Sequence, residues 1–481
     1  MQKYRMSIGG KWVDAESGET FTAFNPATEE GIGQVPLGGK ADVDKAVEAA
    51  QKAFPIWSKK SQAERSQILY QVADAIAEHA DELAELDIVS HGTPKKPALF
   101  GIMALPPMFK YTAQVSRSFM GQVISANPNK FCYLQREPRG VCALIVAWNA
   151  PLVGTSKKLS AALATGNTCI IKPPSICSLT VLKLVEILEK AGLPAGTVNV
   201  VTGFGNTVGE ALSSHPGVGM VSFTGSCETG KRIMSVASKT VKRLALELGG
   251  KNPCIVLEDA DIDAAVGYSL FSSFHNTGMV CAATGRYYIH EKLYDEFVEK
   301  FIAKTERIVV GDPTDEKTDM GPVVSAEHRD RVENYIKSGV EEGAKLILGG
   351  KRPTAPPLDR GYFVMPAVFT DVTQKMKIAR EEIFGPVACF IKFSSDEEVI
   401  RLANDSTFGL SASVWTRNTT KGIRFANEIQ AGTVWINGEI LGAEYPWGGY
   451  KESGFGKENS ILGLEEYVQI KAISFDLAGK V

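Results

Sequence analysis

The run Val141-Cys142-Ala143-Leu144-Ile145-Val146-Ala147 is apolar throughout and of strand length. A helical pattern follows it. Then come strand-like Thr168–Lys172, a helix at Ser178–Ala191, strand-like Thr197–Val201, a helix after Asn206, strand-like Met220–Phe223, a helix from Glu228 and strand-like Arg243–Leu246. Strands that alternate with helices at intervals of about 30 residues predict parallel βαβ units, and continuous apolar strands fit a sheet covered on both faces. A second α/β series starts at Pro253-Cys254-Ile255-Val256-Leu257 and runs to about residue 437, so the boundary is expected near Gly249-Gly250. Upstream, residues 7–40 read as short strands and turns, and Val43–Phe54 has helical spacing. Ser61 and Glu64 form a capping-box pattern that opens a longer helix carrying Ile68, Leu69, Val72, Ile76, Leu83 and Leu86. Residues 91–97 break it. Downstream, residues 471–479 alternate like a terminal strand, which is usually paired, often with another subunit.

A chain of 481 residues is too long for one core, so two or more domains are expected. The apolar share is 44%, the charged share 22% and the net charge −3, which is ordinary for a soluble protein and predicts no nucleic-acid partner. No signal peptide is visible at Met1-Gln2-Lys3-Tyr4-Arg5-Met6. The stretch 264–285 lacks Asp, Glu, Lys and Arg, but its Ser, Thr, His, Asn and Gly residues argue against a lipid-facing helix. Eight scattered cysteines without C-x-x-C spacing read as reduced thiols in a cytoplasmic protein, with neither disulfides nor zinc.

One cysteine stands apart. His275-Asn276-Thr277-Gly278-Met279-Val280-Cys281-Ala282-Ala283-Thr284-Gly285-Arg286 places Cys281 in a loop whose glycines let the backbone approach a ligand. Taken alone, a core thiol is the commoner reading. Gly203-x-Gly205-x-x-x-Gly209 resembles a dinucleotide turn lengthened by one residue, and Thr224-Gly225-Ser226 offers a hydroxyl and free N–H groups at a helix start. Two such turns in successive βα units favour a nucleotide. Asp259, Asp261 and Asp263 mimic alternate calcium ligands, but Ala264 and Leu270 occupy the positions that need Gly and Glu, so no metal is expected. Asn149 at a strand end, Glu247 among apolar residues, and Glu382 with Phe384 before Gly385-Pro386 read singly as structural.

Taken together, these pieces resemble the aldehyde dehydrogenase superfamily over essentially the whole length. The resemblance is carried by Trp148-Asn149-x-Pro151, Lys172-Pro173, Phe223-Thr224-Gly225-Ser226, Glu247-Leu248-Gly249-Gly250, Gly278-x-x-Cys281 with Arg286, Glu382-x-Phe384-Gly385-Pro386 and Pro446-Trp447-Gly448-Gly449-x-Lys451-x-Ser453-Gly454. It implies an α/β fold with a Rossmann-like cofactor domain (residues 1–120 and 140–250), a catalytic domain (251–450) and a small β oligomerisation element (121–139 and 465–481). It implies Cys281 as nucleophile, Glu247 as general base and Asn149 as oxyanion donor. Trp148, Lys172, Ser175, Gly205, Gly209, Ser226, Glu382 and Phe384 are then expected around an NAD or NADP cofactor. A homodimer or homotetramer and a small aldehyde substrate are also implied.

The sequence departs from the family pattern in three places. Ser175 stands where NAD enzymes often carry Glu, which favours NADP or use of both dinucleotides. Met279 replaces a common Gln, and Ala150 a frequent aromatic, near the expected substrate channel. Lys157 lies eight residues after Asn149, where enzymes similar to succinate-semialdehyde dehydrogenase carry Arg; this points to a polar or acidic semialdehyde. Tyr111 and Trp447 instead suit an aromatic aldehyde. The competing readings are CoA-acylating dehydrogenation, which the presence of Glu247 disfavours, a non-catalytic protein on the same fold, and a Cys–His hydrolase using His275.

Overall fold

The computed structural model describes residues 1–127, 129–440 and 442–477. Pro128 in the expected oligomerisation element and residues 478–481 of its terminal strand lie outside the described residues.

The first sheet runs in the order Val198–Val200, Thr168–Lys172, Val141–Ile145, Met220–Thr224, Arg243–Glu247, Gly454–Phe455. All pairings are parallel except the last. Val141–Ile145 and Thr168–Lys172 are buried at every position, as a sheet covered on both faces requires. The chain winds outward from Val141–Ile145 in one direction, then crosses to Met220–Thr224 and continues the other way. The carboxyl ends of the two central strands therefore flank a topological switch point, the usual crevice for a ligand in an open α/β sheet. Trp148 and Asn149 follow one of these strands, and Gly225 and Ser226 the other.

The second sheet runs Lys345–Gly349, Ala367–Thr370, Val387–Phe393, Thr284–His290, Asn252–Val256, Ser411–Trp415, Thr433–Ile436. It is parallel except at the Lys345–Gly349 edge. The chain passes from one sheet to the other between Glu247 and Asn252, around the expected Gly249-Gly250 boundary. The amino ends of the second sheet's strands meet the carboxyl ends of the first. The Gly250 N–H donates to Glu382 Oε1 across that seam at 2.9 Å.

A third sheet orders Val468–Asp476, Lys130–Pro138 and Gln122–Asn127, all antiparallel. The terminal strand thus pairs within its own chain, against Lys130–Pro138. On this sheet the rings of Phe131, Tyr133 and Phe475 pack together at 6.1–6.3 Å, while Phe131 and Phe475 stay 38% and 50% exposed.

The long helix expected from Ser61 is two helices, Gln62–Glu78 and Ala80–His91. The capping box at Ser61 and Glu64 is present. The break falls at His79, whose ring nitrogen Nδ1 lies 2.9 Å from the Ala75 carbonyl oxygen. Asp261 caps the helix Ile262–Phe274 by accepting from the Ala264 N–H, and the described residues hold no cluster of groups able to bind a metal. No helix among the described residues is long and apolar enough to cross a membrane.

Candidate active site

A cavity of about 620 Å³ occupies the crevice where the two sheets meet. Its wall brings together Trp148, Asn149, Lys172, Ser175, Gly205, Gly209, Ser226, Cys281, Glu382 and Phe384. These residues come from both α/β domains, so the site exists only where the domains join.

One end of the cavity is built for an anion. Lys172 ends its strand with a buried ammonium whose hydrogen bond goes to the Pro173 carbonyl at 2.8 Å, leaving protons to spare. Burial lowers its pKa to about 8. Ser226 caps the helix Cys227–Ala237, whose first N–H groups point at the same space. Gly209 lies against the Lys172 stem. A phosphate has donors, a helix dipole and a cation here, so these residues fit a dinucleotide.

Cys281 lines the same cavity and is half-buried on its wall. Its loop is held on three sides. Asn252 Nδ2 donates to the Cys281 carbonyl at 2.8 Å and to the Ala283 carbonyl at 2.9 Å. Asn149 Nδ2 donates to the Met279 carbonyl at 3.0 Å, and Asn276 Nδ2 to the Asn149 carbonyl at 2.8 Å. Asn276, Thr277 and Gly278 all adopt positive φ. Gly278 has a specific reason to be glycine: a Cβ there would lie 2.3 Å from the Gly385 carbonyl oxygen. The cysteine loop and the Glu382–Pro386 loop thus touch backbone to backbone. Burial pushes the Cys281 thiol up to about 12, with Lys157 pulling the other way and Glu382, Glu247 and Glu458 adding to the rise.

Glu247 is buried at the end of strand Arg243–Glu247, and neither carboxylate oxygen has a hydrogen-bond partner among the described residues. Desolvation first, and then the Glu458 charge, holds its carboxyl well above the usual carboxylate range. Its neighbours form a buried network that sequence reading missed. Lys158 Nζ bonds Glu458 Oε1 at 2.6 Å and Ser222 Oγ at 3.0 Å. Lys158 and Glu458 are 300 residues apart in the chain, so no local signal joins them. Gly448 lets the main chain come within reach of Glu247; a Cβ there would meet Oε1 at 3.0 Å.

The remaining expected site residues lie off the cavity wall. Lys157 is half-buried with its Nζ 5.8 Å from the Trp447 ring centroid, and it joins none of the ion pairs among the described residues. Trp447 also stacks on Trp435 at 6.1 Å. Tyr111 is on the helix Leu105–Ser116, close enough to Glu444 to feel its charge. Met279 needs correction as a substrate contact. Its side chain is 1% exposed inside the core packed on the second sheet, and only its carbonyl meets Asn149. His275, the alternative dyad partner, stacks on Phe271 at 4.6 Å.

Other residues unforeseen from sequence complete the wall. His328 and Arg331, on the helix Ala326–Glu341, hold the Glu382–Phe384 segment: His328 Nε2 to the Phe384 carbonyl at 2.6 Å, and Arg331 to the Glu382 carbonyl at 2.9 Å. Arg232 and Glu210 pair beside the Gly205–Gly209 turn.

Comparison with known proteins identifies the family. The model of the aldehyde dehydrogenase family matches residues 12–473. The chain belongs to the aldehyde dehydrogenase family. It is an oxidoreductase acting on aldehydes. A betaine aldehyde dehydrogenase of Bacillus subtilis (strain 168) is 43% identical over 470 residues, covering 97% of this chain and 96% of that one. The structure of betaine aldehyde dehydrogenase from Staphylococcus aureus in complex with NAD+ superposes with a TM-score of 0.97 at 38% identity, covering 99% of this chain and 96% of that chain. A mutant form of an aldehyde dehydrogenase from Bacillus cereus superposes with a TM-score of 0.97 at 41% identity, covering 99% and 97%. The α/β architecture with its Rossmann-like sheet is therefore the aldehyde dehydrogenase fold.

Proposed function

We propose that the site oxidises a bound aldehyde to its carboxylic acid, with Cys281 as the nucleophile and a dinucleotide in the 620 Å³ cavity as the hydride acceptor. The observation that carries this reading is one wall holding both a half-buried thiol and a phosphate-ready Lys172–Ser226 end. When bound, the dinucleotide accepts a hydride. The Cys281 thiol gives up its proton to solvent, and the sulfur adds to the aldehyde carbon to form a thiohemiacetal whose oxygen carries the negative charge. The developing oxyanion lies near the second Asn149 amide hydrogen, the first being spent on Met279. Loss of hydride leaves a thioester on Cys281. Glu247 then takes a proton from water, which attacks the thioester and frees the acid. The Glu458–Lys158 pair beside Glu247 gives that proton a charged acceptor network. Glu247 supports hydrolysis over transfer of the acyl group to CoA, and the complete Cys281–Asn149–Glu247 set supports catalysis over a purely structural role.

For the cofactor, we infer NADP or the use of both dinucleotides. A carboxylate at position 175 would repel a 2′-phosphate, and Ser175 removes it. Arg232 and Lys172 add positive charge, which Glu210 partly offsets. Like charges about 4 Å apart at an effective dielectric of ~20 cost about 4 kcal/mol, less when solvated. Ser175→Glu is expected to lower kcat/KM with NADP at least about tenfold, roughly 1.4 kcal/mol, and to spare NAD. A wild type with strong NAD preference, unchanged in the variant, removes Ser175 as a selector.

For the substrate, we infer a polar or acidic semialdehyde. Betaine aldehyde, for which the relatives are named, carries a quaternary ammonium group. Such a cation favours an open aromatic face. Here the Lys157 ammonium already lies over Trp447 and repels a second cation. A carboxylate would instead find an ammonium that joins no ion pair among the described residues, although the Glu247 and Glu458 charges also act on it. The stacked Trp435–Trp447 pair favours a second reading, an aromatic aldehyde. Lys157→Met is expected to lower kcat/KM for an acidic semialdehyde by roughly 1.5–3 kcal/mol, as for a charge-assisted hydrogen bond. A neutral aldehyde of similar length should be spared, and a quaternary ammonium aldehyde improved. Equal effects on all three would eliminate the charge argument.

The exposed aromatic rings on the third sheet support assembly into homodimers or homotetramers through that sheet. The free cysteines fit a reducing, cytoplasmic setting.

A further inference from the structure

One face of the helix Ala326–Glu341 carries the whole Glu381–Gly385 segment. His328, Arg331, Val332 and Tyr335 follow the i, i+3, i+4, i+7 spacing of a single helix face. Tyr335 Oη donates to Glu381 Oε2 at 2.7 Å, and Arg331 to the Glu382 carbonyl at 2.9 Å. Val332 packs so closely that a Cβ on Gly385 would lie 2.5 Å from its Cγ2. His328 Nε2 meets the Phe384 carbonyl at 2.6 Å.

Phe384 is the residue under most constraint. Its φ is +63°, in the left-handed region that a bulky side chain rarely adopts. Such a conformation is strained and persists only when its surroundings over-determine it. Besides the His328 bond, the Phe384 ring lies edge-on to Trp148 at 5.2 Å, and Trp148 lies edge-on to His328 at 5.0 Å. Trp148 comes from the cofactor domain and the other two rings from the catalytic domain, so the three close a clasp across the domain seam. All three line the cavity with Cys281. On its far side, the Gly385 carbonyl touches Gly278, three residues before Cys281.

Resting on the dinucleotide reading above, we propose that His328 is a positioning residue. It holds Phe384 in its left-handed conformation, and so sets the cavity wall that receives the reacting end of the dinucleotide beside Cys281. The imidazole suits this work. Burial lowers its pKa to about 4, so near neutral pH it is uncharged and its Nε2–H donates to the carbonyl. Among the site's titratable neighbours, Arg331 on the same helix also disfavours its charged form, and Glu382 across the segment is itself held up by burial.

The test measures equilibrium binding of NAD+ and, separately, of ADP-ribose, which lacks the nicotinamide. The proteins are the wild type, His328→Leu and His328→Gln. The Leu variant is expected to bind NAD+ about tenfold more weakly, the value of one lost hydrogen bond of roughly 1.4 kcal/mol, and to bind ADP-ribose as the wild type does. Its first-turnover hydride transfer should slow as well. The Gln variant keeps a donor and should stay within about twofold in each measurement. If the Leu variant fails to fold, His328→Asn replaces it, because its shorter amide cannot reach the carbonyl. Equal weakening of NAD+ and ADP-ribose would overturn the proposal, as would a Gln variant as impaired as Leu, or a Leu variant like the wild type. A wild type that binds neither NAD+ nor NADP+ removes the function proposed above, and this proposal with it.

Discussion

Cys281→Ala is expected to abolish aldehyde oxidation, by about 10⁴-fold or more, the scale on which removing a covalent nucleophile acts. Dinucleotide binding should survive, because Lys172, Ser226 and the Gly205–Gly209 turn are separate groups on the cavity wall that the substitution does not touch. The fold should survive too. The Cys281 loop is held through main-chain carbonyls by Asn252 and Asn149, and neither bond uses the sulfur. Residual turnover above a trace would assign the nucleophile elsewhere. The pH dependence follows from the same geometry. Burial pushes the thiol up to about 12, so it is neutral near pH 7, and its thiolate fraction grows about tenfold per pH unit below that value. The rate of first-turnover hydride transfer should therefore rise with pH from 6 to 9. A thiol at its ordinary value would level off within that window. A rate that is flat or falls toward pH 9 would mean that the bound state, not the empty site, sets the thiolate population.

Much of this architecture is written locally in the chain. Val141–Ile145 is apolar throughout and Thr168–Lys172 at its three central positions because both faces of their sheet are covered, so these short apolar runs mark them as strands. The Ser61–Glu64 box and the Asp261 cap announce helix starts because a side chain satisfies main-chain N–H groups a few residues away. Local reading fails where a contact spans the chain. Nothing near Lys158 points to Glu458, and nothing in the charged helix Ala326–Glu341 marks His328 as the partner of Phe384. Met279 misleads for a related reason. Its place beside Cys281 suggested the substrate channel, but the left-handed turn at Asn276–Gly278 sends its side chain into the core. The break at His79 carries no Gly or Pro signal; it rests on bonds from one histidine back to the preceding turn.

Glu247→Gln is expected to separate the two halves of the reaction. Hydride transfer leaves a thioester on Cys281 without calling on the carboxylate to activate water, so one equivalent of reduced dinucleotide per site should appear rapidly. Steady turnover should then fall by about 10²–10⁴-fold, the usual contribution of a general base. The variant is nearly isosteric, and among the described residues Glu247 makes no hydrogen bond that the amide would break. Its buried carboxyl is neutral over more of the pH range than an ordinary glutamate, so an uncharged amide costs the fold little. That elevated pKa also gives the sign of the wild-type pH dependence. The base is unprotonated only above its raised pKa, so thioester hydrolysis should accelerate as pH rises, while in the Gln variant the slow phase should lose this dependence. Glu458 is held below the usual range chiefly by Lys158 against its own desolvation, so it keeps its negative charge beside Glu247. Glu458→Gln should then lower the Glu247 pKa and shift the hydrolysis profile toward acid. A steady-state rate unchanged by Glu247→Gln would take this residue out of the mechanism and leave water activation to the Lys158–Glu458 pair.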